Sequence, residues 1–518
     1  MRHLNTPLEA AEWLKRRVTG ELHVDDRRVG KGDGFIAWPG AANDGRHFVL
    51  SALENGATAC LVEREGLDAF GFKDERVASY SALKQSSGSL SAAYYGWPSR
   101  QLEVIAATGT NGKTTTTWWL AQALSGIPNN QPHGCGLIGT FGSGIPDFSG
   151  YARTEGQALI SGITSTGLTT PDPVSIQKSL LNFVASDVKY CAIEASSIGI
   201  QEQRLQGTQI HTAIFTNLTL DHLDYHGTLG AYWLAKQELF NWPGLKAAVV
   251  NIDDHHGAEL AFKLSKRSPE LDVWTFSCKG SARLVAENIC PAGRGISLVI
   301  VEKGDRYTLE LPFIGDYNAA NLLGVIGALR SLGVSLHDSI VACQSLSAVP
   351  GRMECQGAED EPLVVVDYAH TPDALAKVLT ALRPYAQASN GRLICIFGCG
   401  GDRDKGKRPL MGAIAAKFAD ATVLTNDNPR SEIPADIIQH IAAGIPSGRE
   451  FHIEADREQA IRESIFAAEA GDVVVVAGKG HEPFQEISGV RYPFSDRLCV
   501  KASLSQRSSK RLALRIAP

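Results

Sequence analysis

The stretch QLEVIAATGTNGKTTTTWWLAQAL, residues 101–124, decides the fold class. Its first half is an apolar run ending at Ala107–Thr108 and predicts a strand; TTTTWWLAQAL predicts a helix; Gly109 and Gly112 shape the turn between them. A turn of this kind points backbone N–H groups and the positive end of a helix at one spot, which is an anion site. The usual phosphate loop reads G-x-x-x-x-G-K-[ST]. Gly112, Lys113 and Thr114 fit it, while Ala107 stands where the first glycine belongs. In such a loop Lys113 bridges the β- and γ-phosphates and Thr114 ligates magnesium. G-K-T alone is a weak signal, and its place between an apolar strand and a helix makes it a strong one.

Outward from the loop, VKYCAIEA, HTAIFTNL and LKAAVVNI read as further strands with helical stretches between them. That alternation predicts a mostly parallel sheet with helices on both faces. From about 272 to 313 the segments LDVWTFS, GISLVIVE and RYTLELPF predict an antiparallel extension, followed by a helix in NAANLLGVIGALRSL. Residues before about 100 alternate short strands and helices, with ATACLVE a strand after a helix ending near Gly56. SAVPGRME, 347–354, reads as a hinge because Pro350 and Gly351 are adjacent. Beyond it LVVVDYA, RLICIFG, ATVLTND and DVVVVAG predict a second, Rossmann-like α/β unit, and the basic tail SQRSSKRLALRIAP reads as a solvated, frayed end. The expected organisation is α/β in three domains, 1–100, 101–349 and 350–518, which suits 518 residues.

Composition narrows the function classes. Hydrophobic residues make up 44% and charged residues 20%, as in an ordinary globular protein. A net charge of −6 argues against a nucleic-acid binder, which carries a basic face. Ten cysteines are scattered without a C-x-x-C pair; Cys395 and Cys399 lie closest, and the expected state is reduced and buried. MRHLNTPLEAAEWLKRR lacks the apolar core of a signal peptide, and no apolar run reaches the ~18 residues of a membrane span. The expected location is the cytosol, with no membrane span and a monomeric state.

A nucleotide site needs a carboxylate at the end of a neighbouring strand, and Glu194 at the end of VKYCAIEA supplies one. FTNLTLDHLDYHG then places Asp221, His222, Asp224 and His226 within six residues. Taken alone, that cluster reads either as a hard-metal or phosphate environment or as a polar loop that caps the next helix. Lys236 of LAKQELF, on residue type alone, is a solvent-facing helical lysine.

The ordered set ATGTNGKTTT, TTPD, EASS, FTNLTLDHLDYHG, LAK, GDYNAAN, PGRME, DYAHTPD, DNPR and GKGHE resembles the Mur ligases, from about residue 25 to residue 500. In that family the loop G-T-N-G-K-T is the norm. The resemblance implies three domains holding a UDP-linked substrate, ATP and an amino acid. It also implies a reaction through an acyl phosphate and a tetrahedral intermediate in peptidoglycan precursor synthesis. Within the family it is most similar to the branch that adds meso-diaminopimelate to UDP-N-acetylmuramoyl-L-alanyl-D-glutamate.

The family roles carry over residue by residue. ATP would lie on Gly109, Thr110, Asn111, Gly112, Lys113, Thr114 and Thr115, with Asn318 and Asn321 at adenine, Arg352 at the phosphates and Asp367 at ribose. Magnesium would be held by Thr114, Glu194 and His222, and by Lys236 as a carbamate (N6-carboxylysine); Lys113, Glu194, His222 and Lys236 form the catalytic set. The UDP substrate would meet Asp26, Thr169, Thr170, Ser196 and Arg204. Two departures from the family pattern are Asp26, where serine is usual, and Ile198, where many relatives have histidine.

DNPR bears on the amine. Diaminopimelate has a distal carboxylate and a distal ammonium that lysine lacks. Arg430 can clamp the first in bidentate fashion, and Glu482 can accept from the second. Asp427, Asn428, Arg403 and Gly478 complete that expected set. A site built for lysine would leave Arg430 buried and unpaired. The rival readings are another ligase of the superfamily, a non-catalytic binding protein and a P-loop switch; DNPR argues against the first, intact Lys113, Glu194, His222 and Lys236 against the second, and the ligase motifs against the third.

Overall fold

The computed structural model describes residues 1–40, 43–127, 134–148, 161–358 and 360–516, the last eight by backbone alone. Three large sheets follow one another along the chain, each with a parallel core, and a two-stranded hairpin, Phe484–Ile487 with Val490–Pro493, follows them. The first runs Arg2–Leu4, Val77–Tyr80, Ala59–Glu63, Gly34–Ala37, Leu22–His23, parallel throughout. Ala59–Glu63 and Val77–Tyr80 are buried at every position, as expected for parallel strands covered on both faces.

The central sheet has eleven strands, and Glu103–Thr108 lies inside it between Thr212–Phe215 and Tyr190–Glu194. Parallel register sets Glu194 beside Ala107 and Phe215 beside Thr108. Ala107 is therefore a strand residue with no exposed surface, and its place requires no glycine. Because these strands end together, their carboxyl ends open one crevice, where ligands of such sheets bind. The third sheet runs Glu354–Gln356, Leu363–Asp367, Val473–Ala477, Leu393–Phe397, Ala421–Leu424, His452–Ile453, antiparallel only at its first pair.

Three expectations are corrected. Asp272–Ser277 is not part of the antiparallel extension: it pairs parallel with Ala247–Asn251. The helix His255–Arg267 makes the crossover between them, and a helical crossover delivers a parallel neighbour. Antiparallel pairing begins with Leu284–Ala292, Gly295–Glu302 and Asp305–Leu311. The basic tail, as far as it is described, is helical rather than frayed: it continues the helix Asp496–Ile516, in which Val500, Leu504 and Arg507 are buried and Arg507 Nη1 donates to the carbonyls of Ile465 and Phe466. Its inward stripe is short and spaced by three and four residues, so polar composition masks it. All ten cysteines are free, but only six are buried, and Cys290 is exposed.

Candidate active site

Gly112 precedes the helix Lys113–Gly126 with φ +87°, and a Cβ there would sit 2.3 Å from Asn321 Oδ1. Conformation and space both require glycine at that position. The loop is clamped from the FTNLTLD segment. Asn111 N donates to Asn217 Oδ1 at 3.0 Å, Thr110 N to the Asn217 carbonyl at 2.8 Å, and Thr216 Oγ1 to the Asn111 carbonyl at 2.6 Å. Lys113 folds back over the turn, with Nζ donating to the carbonyls of Gly109 (2.8 Å) and Thr110 (2.9 Å). Burial holds the Lys113 ammonium below the usual lysine range.

Glu194 is 1% exposed, and among the described residues its carboxylate is met only by neutral donors. Oε2 accepts from Thr114 Oγ1 at 2.9 Å and Thr140 Oγ1 at 3.1 Å; Oε1 accepts from Thr140 N at 2.8 Å. Among the described residues no salt bridge reaches it. A buried anion ringed by hydroxyls and short of a cation fits a divalent metal held at the end of the strand, where Thr114 already stands. Thr140 went unread in the sequence. It follows the strand Cys135–Gly139, and the only signal was a glycine-flanked turn, GTFG, after an apolar segment.

His222 and Lys236 reach the loop differently. His222 has φ +51° at the head of a one-turn helix, and its ring stands 3.5 Å from Asp221 Oδ2. It lines the same cleft as Glu194. Among the described residues, the one group of three His, Cys, Asp or Glu with ligand atoms within 4.8 Å is Asp254, His255 and His256. Lys236 is not solvent-facing: it is 1% exposed and donates from Nζ to the Gly109 carbonyl at 2.8 Å. Its Nζ also lies 4.4 Å from the centre of the Tyr232 ring, and the Tyr232 hydroxyl bonds Thr110 Oγ1 at 3.2 Å. Burial, reinforced by nearby Lys113, drives the Lys236 pKa well below the usual lysine value.

A cleft of about 310 Å³ joins the loop to the hinge and the third sheet. Thr110 to Thr115, Thr169, Glu194, Asp221, His222, Asn318, Asn321, Arg352, Asp367, Tyr368 and His370 line it. Asn318 Nδ2 donates to the Ile314 carbonyl (2.8 Å), and Asn321 Nδ2 to Asn318 Oδ1 (3.1 Å). Asp367 accepts from the N–H groups of Met353 (2.7 Å) and Ala369 (2.8 Å), which fixes the hinge to the strand Leu363–Asp367; burial raises its pKa. The Arg352 guanidinium stacks 4.4 Å from the Tyr368 ring centre, and its buried Nε has no partner among the described residues.

The residues expected at the UDP substrate do not form one group. Thr169 lines the cleft, whereas Thr170 accepts from Ser196 N at 3.0 Å and donates to the Glu194 carbonyl at 2.7 Å. Ser196 caps the helix Ser197–Gln201, Ile198 lies in that helix, and Arg204 Nη1 donates to the Thr170 carbonyl at 2.9 Å. Asp26 belongs to the first sheet's loops and accepts from Ser51 Oγ at 2.8 Å.

DNPR and GKGHE meet at the carboxyl ends of the third sheet. Lys479, with no exposed surface, donates to Asn428 Oδ1 (2.9 Å) and Glu482 Oε2 (2.8 Å); Asn428 Nδ2 donates to the same Glu482 oxygen at 2.8 Å. Gly478 has φ +118°, and a Cβ there would stand 2.6 Å from Asp427 Oδ2. Arg430, at φ +51°, donates from Nη1 to the Gly401 carbonyl (2.7 Å) and lies 3.9 Å from Glu486. Arg403 stays exposed on Asp402 and does not join this cluster. Lys479 was not legible as a site residue, because burial of a cation is a tertiary effect; nearby, the fully buried Arg408 grips Glu432 through two nitrogens at 2.8 and 3.0 Å. Tyr368 and His481, ring centres 5.3 Å apart, connect the cluster to the nucleotide cleft.

Comparison with known proteins agrees with this geometry. Residues 107–329 match the Mur ligase middle domain, and residues 351–480 match the Mur ligase glutamate ligase domain. A UDP-N-acetylmuramoyl-L-alanyl-D-glutamate–2,6-diaminopimelate ligase of Acidovorax sp. (strain JS42) is 49% identical over 507 residues, covering 97% of this chain and 98% of its own. The ligase of the same name from Pseudomonas aeruginosa is 43% identical, covering 92% and 93%. A solved structure of a ligase of that name superposes with TM-score 0.65 at 35% identity, covering 94% of this chain and 95% of its own. The MurF ligase of Thermotoga maritima, solved with ADP, shares the fold at TM-score 0.62 and 19% identity, covering 95% and 99%. With near full-length relatives at this identity and a phosphate loop, strand-end glutamate and hinge arginine on one cleft, the chain belongs to the Mur ligase family.

Proposed function

We propose that the chain joins meso-2,6-diaminopimelate to UDP-N-acetylmuramoyl-L-alanyl-D-glutamate with ATP as co-substrate, releasing ADP and phosphate, in peptidoglycan precursor synthesis. One observation carries this reading: a single 310 Å³ cleft is lined by the phosphate loop and by Arg352, Asp367 and His370 from beyond the hinge. A stand-alone nucleotide hydrolase has no use for that second wall, whereas carboxylate activation followed by amine attack requires both. The domain division 1–100, 101–349 and 350–518 follows the three sheets, with the UDP substrate, ATP and the amino acid assigned in that order.

A carboxylate is a poor electrophile, and phosphorylation converts one of its oxygens into a leaving group. Substrate carboxylate and γ-phosphate are both anionic, so their approach needs positive charge. Lys113 supplies it from the loop and Arg352 from the hinge side. Magnesium, when bound, adds charge at the phosphate oxygens; Thr114, Glu194 and His222 are the residues that would hold it. Lys236 fits a further role as a carbamate. Burial favours loss of its ammonium proton; the lone pair of the freed Nζ then adds to the carbon of CO₂, the nitrogen loses a further proton to water, and the amine becomes an anionic oxygen ligand. At the amine site, Arg430 would receive the distal carboxylate, and Glu482, held by Lys479 and Asn428, the distal ammonium. No helix among the described residues is long and apolar enough to cross a membrane, and we place the enzyme, as a monomer, in the cytoplasm with its ATP.

The deciding assay incubates the chain with ATP, magnesium and the UDP-dipeptide, offering diaminopimelate and lysine side by side. Product from diaminopimelate, with phosphate release that needs both acceptor and amine, is the expected result. Phosphate release with neither present, or preferential use of lysine, would overturn it.

A further inference from the structure

The two loops at the amine site grow from strands that do not touch. DNPR follows Ala421–Leu424 and GKGHE follows Val473–Ala477, with Leu393–Phe397 between them. Hydrogen bonds between those two strands therefore do not set the spacing of the loop roots, although Arg430 bridges to Ile487 beyond GKGHE. Lys479 and Asn428 tie the loops together further out, and at their roots Arg457 spans the gap. Arg457, buried at the head of the helix Arg457–Ala467, donates from Nη1 to the Asn426 carbonyl at 3.2 Å and from Nη2 to the Ala477 carbonyl at 2.9 Å. Asn426 immediately precedes DNPR, and Ala477 immediately precedes Gly478. The guanidinium is held in place by Asp496, the first residue of the terminal helix, through Nε–Oδ1 at 2.7 Å and Nη2–Oδ2 at 2.8 Å, with neither side chain exposed.

We propose that Arg457 and Asp496 are positioning residues for the amine substrate: the fork of Arg457 sets the distance between the DNPR and GKGHE loops, and the terminal helix is part of that brace. The assignment rests on the reading of these loops as the amine site. A buried ion pair is weak evidence for stability on its own, since apolar replacement of such a pair is often neutral. Its two remaining bonds go to the roots of two functional loops, and that placement assigns the role. A lysine at 457 keeps the charge but lacks the planar fork that reaches both carbonyls.

The test uses the full chain with Arg457→Lys, and with the double change Arg457→Met and Asp496→Leu, which removes the charges together. Michaelis constants for the amine and for ATP are measured with melting temperature and hydrogen exchange at 426–430 and 478–482. The expected result is an amine KM raised about ten- to a hundred-fold, as for a displaced binding group, with ATP KM unchanged and exchange faster at both loops but not at 109–114. Equal changes in both constants, or a folded double variant with the parental amine KM, would overturn the brace. Should the unmodified enzyme prefer an amine other than diaminopimelate, that reading alone fails, and the same split must then appear with the preferred amine.

Discussion

Replacing Glu194 with glutamine separates the proposed metal role of this side chain from its packing role. The carboxylate takes three hydrogen bonds, at 2.8, 2.9 and 3.1 Å, two of them from hydroxyls. A glutamine carbonyl can keep the Thr140 N–H, while its amide donates to Thr114 and Thr140, whose hydroxyls can turn to accept. Charge assistance is lost at about 1 kcal/mol per bond, and relief from burying an anion offsets part of that. The net change in stability is expected within about 2 kcal/mol, a shift of a few degrees in melting temperature. Catalysis should fall far more: removing one well-placed electrostatic group costs about 10²–10³ in kcat. Phosphate release gives the rate, and calorimetric titration of ADP with and without magnesium gives the metal dependence. A variant that keeps parental magnesium dependence and a rate within about two-fold would refute the argument.

Three further outcomes can be checked. Lys236→Ala should be inactive and regain part of its activity with a short carboxylate such as formate or acetate; full activity without rescue would remove the carbamate. Arg430→Lys should raise the diaminopimelate KM by at least about ten-fold, as expected when a bidentate carboxylate clamp is lost, and leave ADP affinity unchanged; equal losses would count against the clamp. Burial, with Arg352, Arg497 and Lys479 nearby, holds His481 down at about 3. An unfolded histidine titrates near ~6.5, so below that pH the unfolded chain takes a proton the folded one refuses, and stability falls as pH drops toward 3. The loss from this group at pH 5 is about 2 kcal/mol. His481→Phe should flatten melting temperature against pH between 7 and 5; identical slopes would show that this histidine does not titrate as described.

The parts legible in the sequence were those carried by local pattern. The strand–loop–helix around Lys113, the strand ending at Glu194 and the hinge at Pro350–Gly351 each announce themselves within ten residues. What stayed hidden depends on residues far apart. Lys236 reads as a surface lysine until its helix packs under Gly109, 127 residues away. Thr140 acquires a role only because Cys135–Gly139 pairs with Tyr190–Glu194. The direction of Asp272–Ser277 is set by the preceding crossover rather than by its own residues. The terminal helix was misread because its few inward residues are diluted by charge.

The register of Glu194 against Ala107 has a consequence for how this enzyme can vary in length. A one-residue insertion or deletion within Tyr190–Glu194 would move the carboxylate about 3.3 Å along the sheet and turn it to the opposite face. The strand could still pair and the sheet still form, so such a chain would fold and bind nothing at that point. Indels at the other end, near Asp187 and Val188, leave the distance from Glu194 to Thr114 untouched. Length variation among relatives should therefore gather at the amino-terminal edge of the central sheet and be absent between Tyr190 and Thr114's partner, a pattern that sequences alone can check.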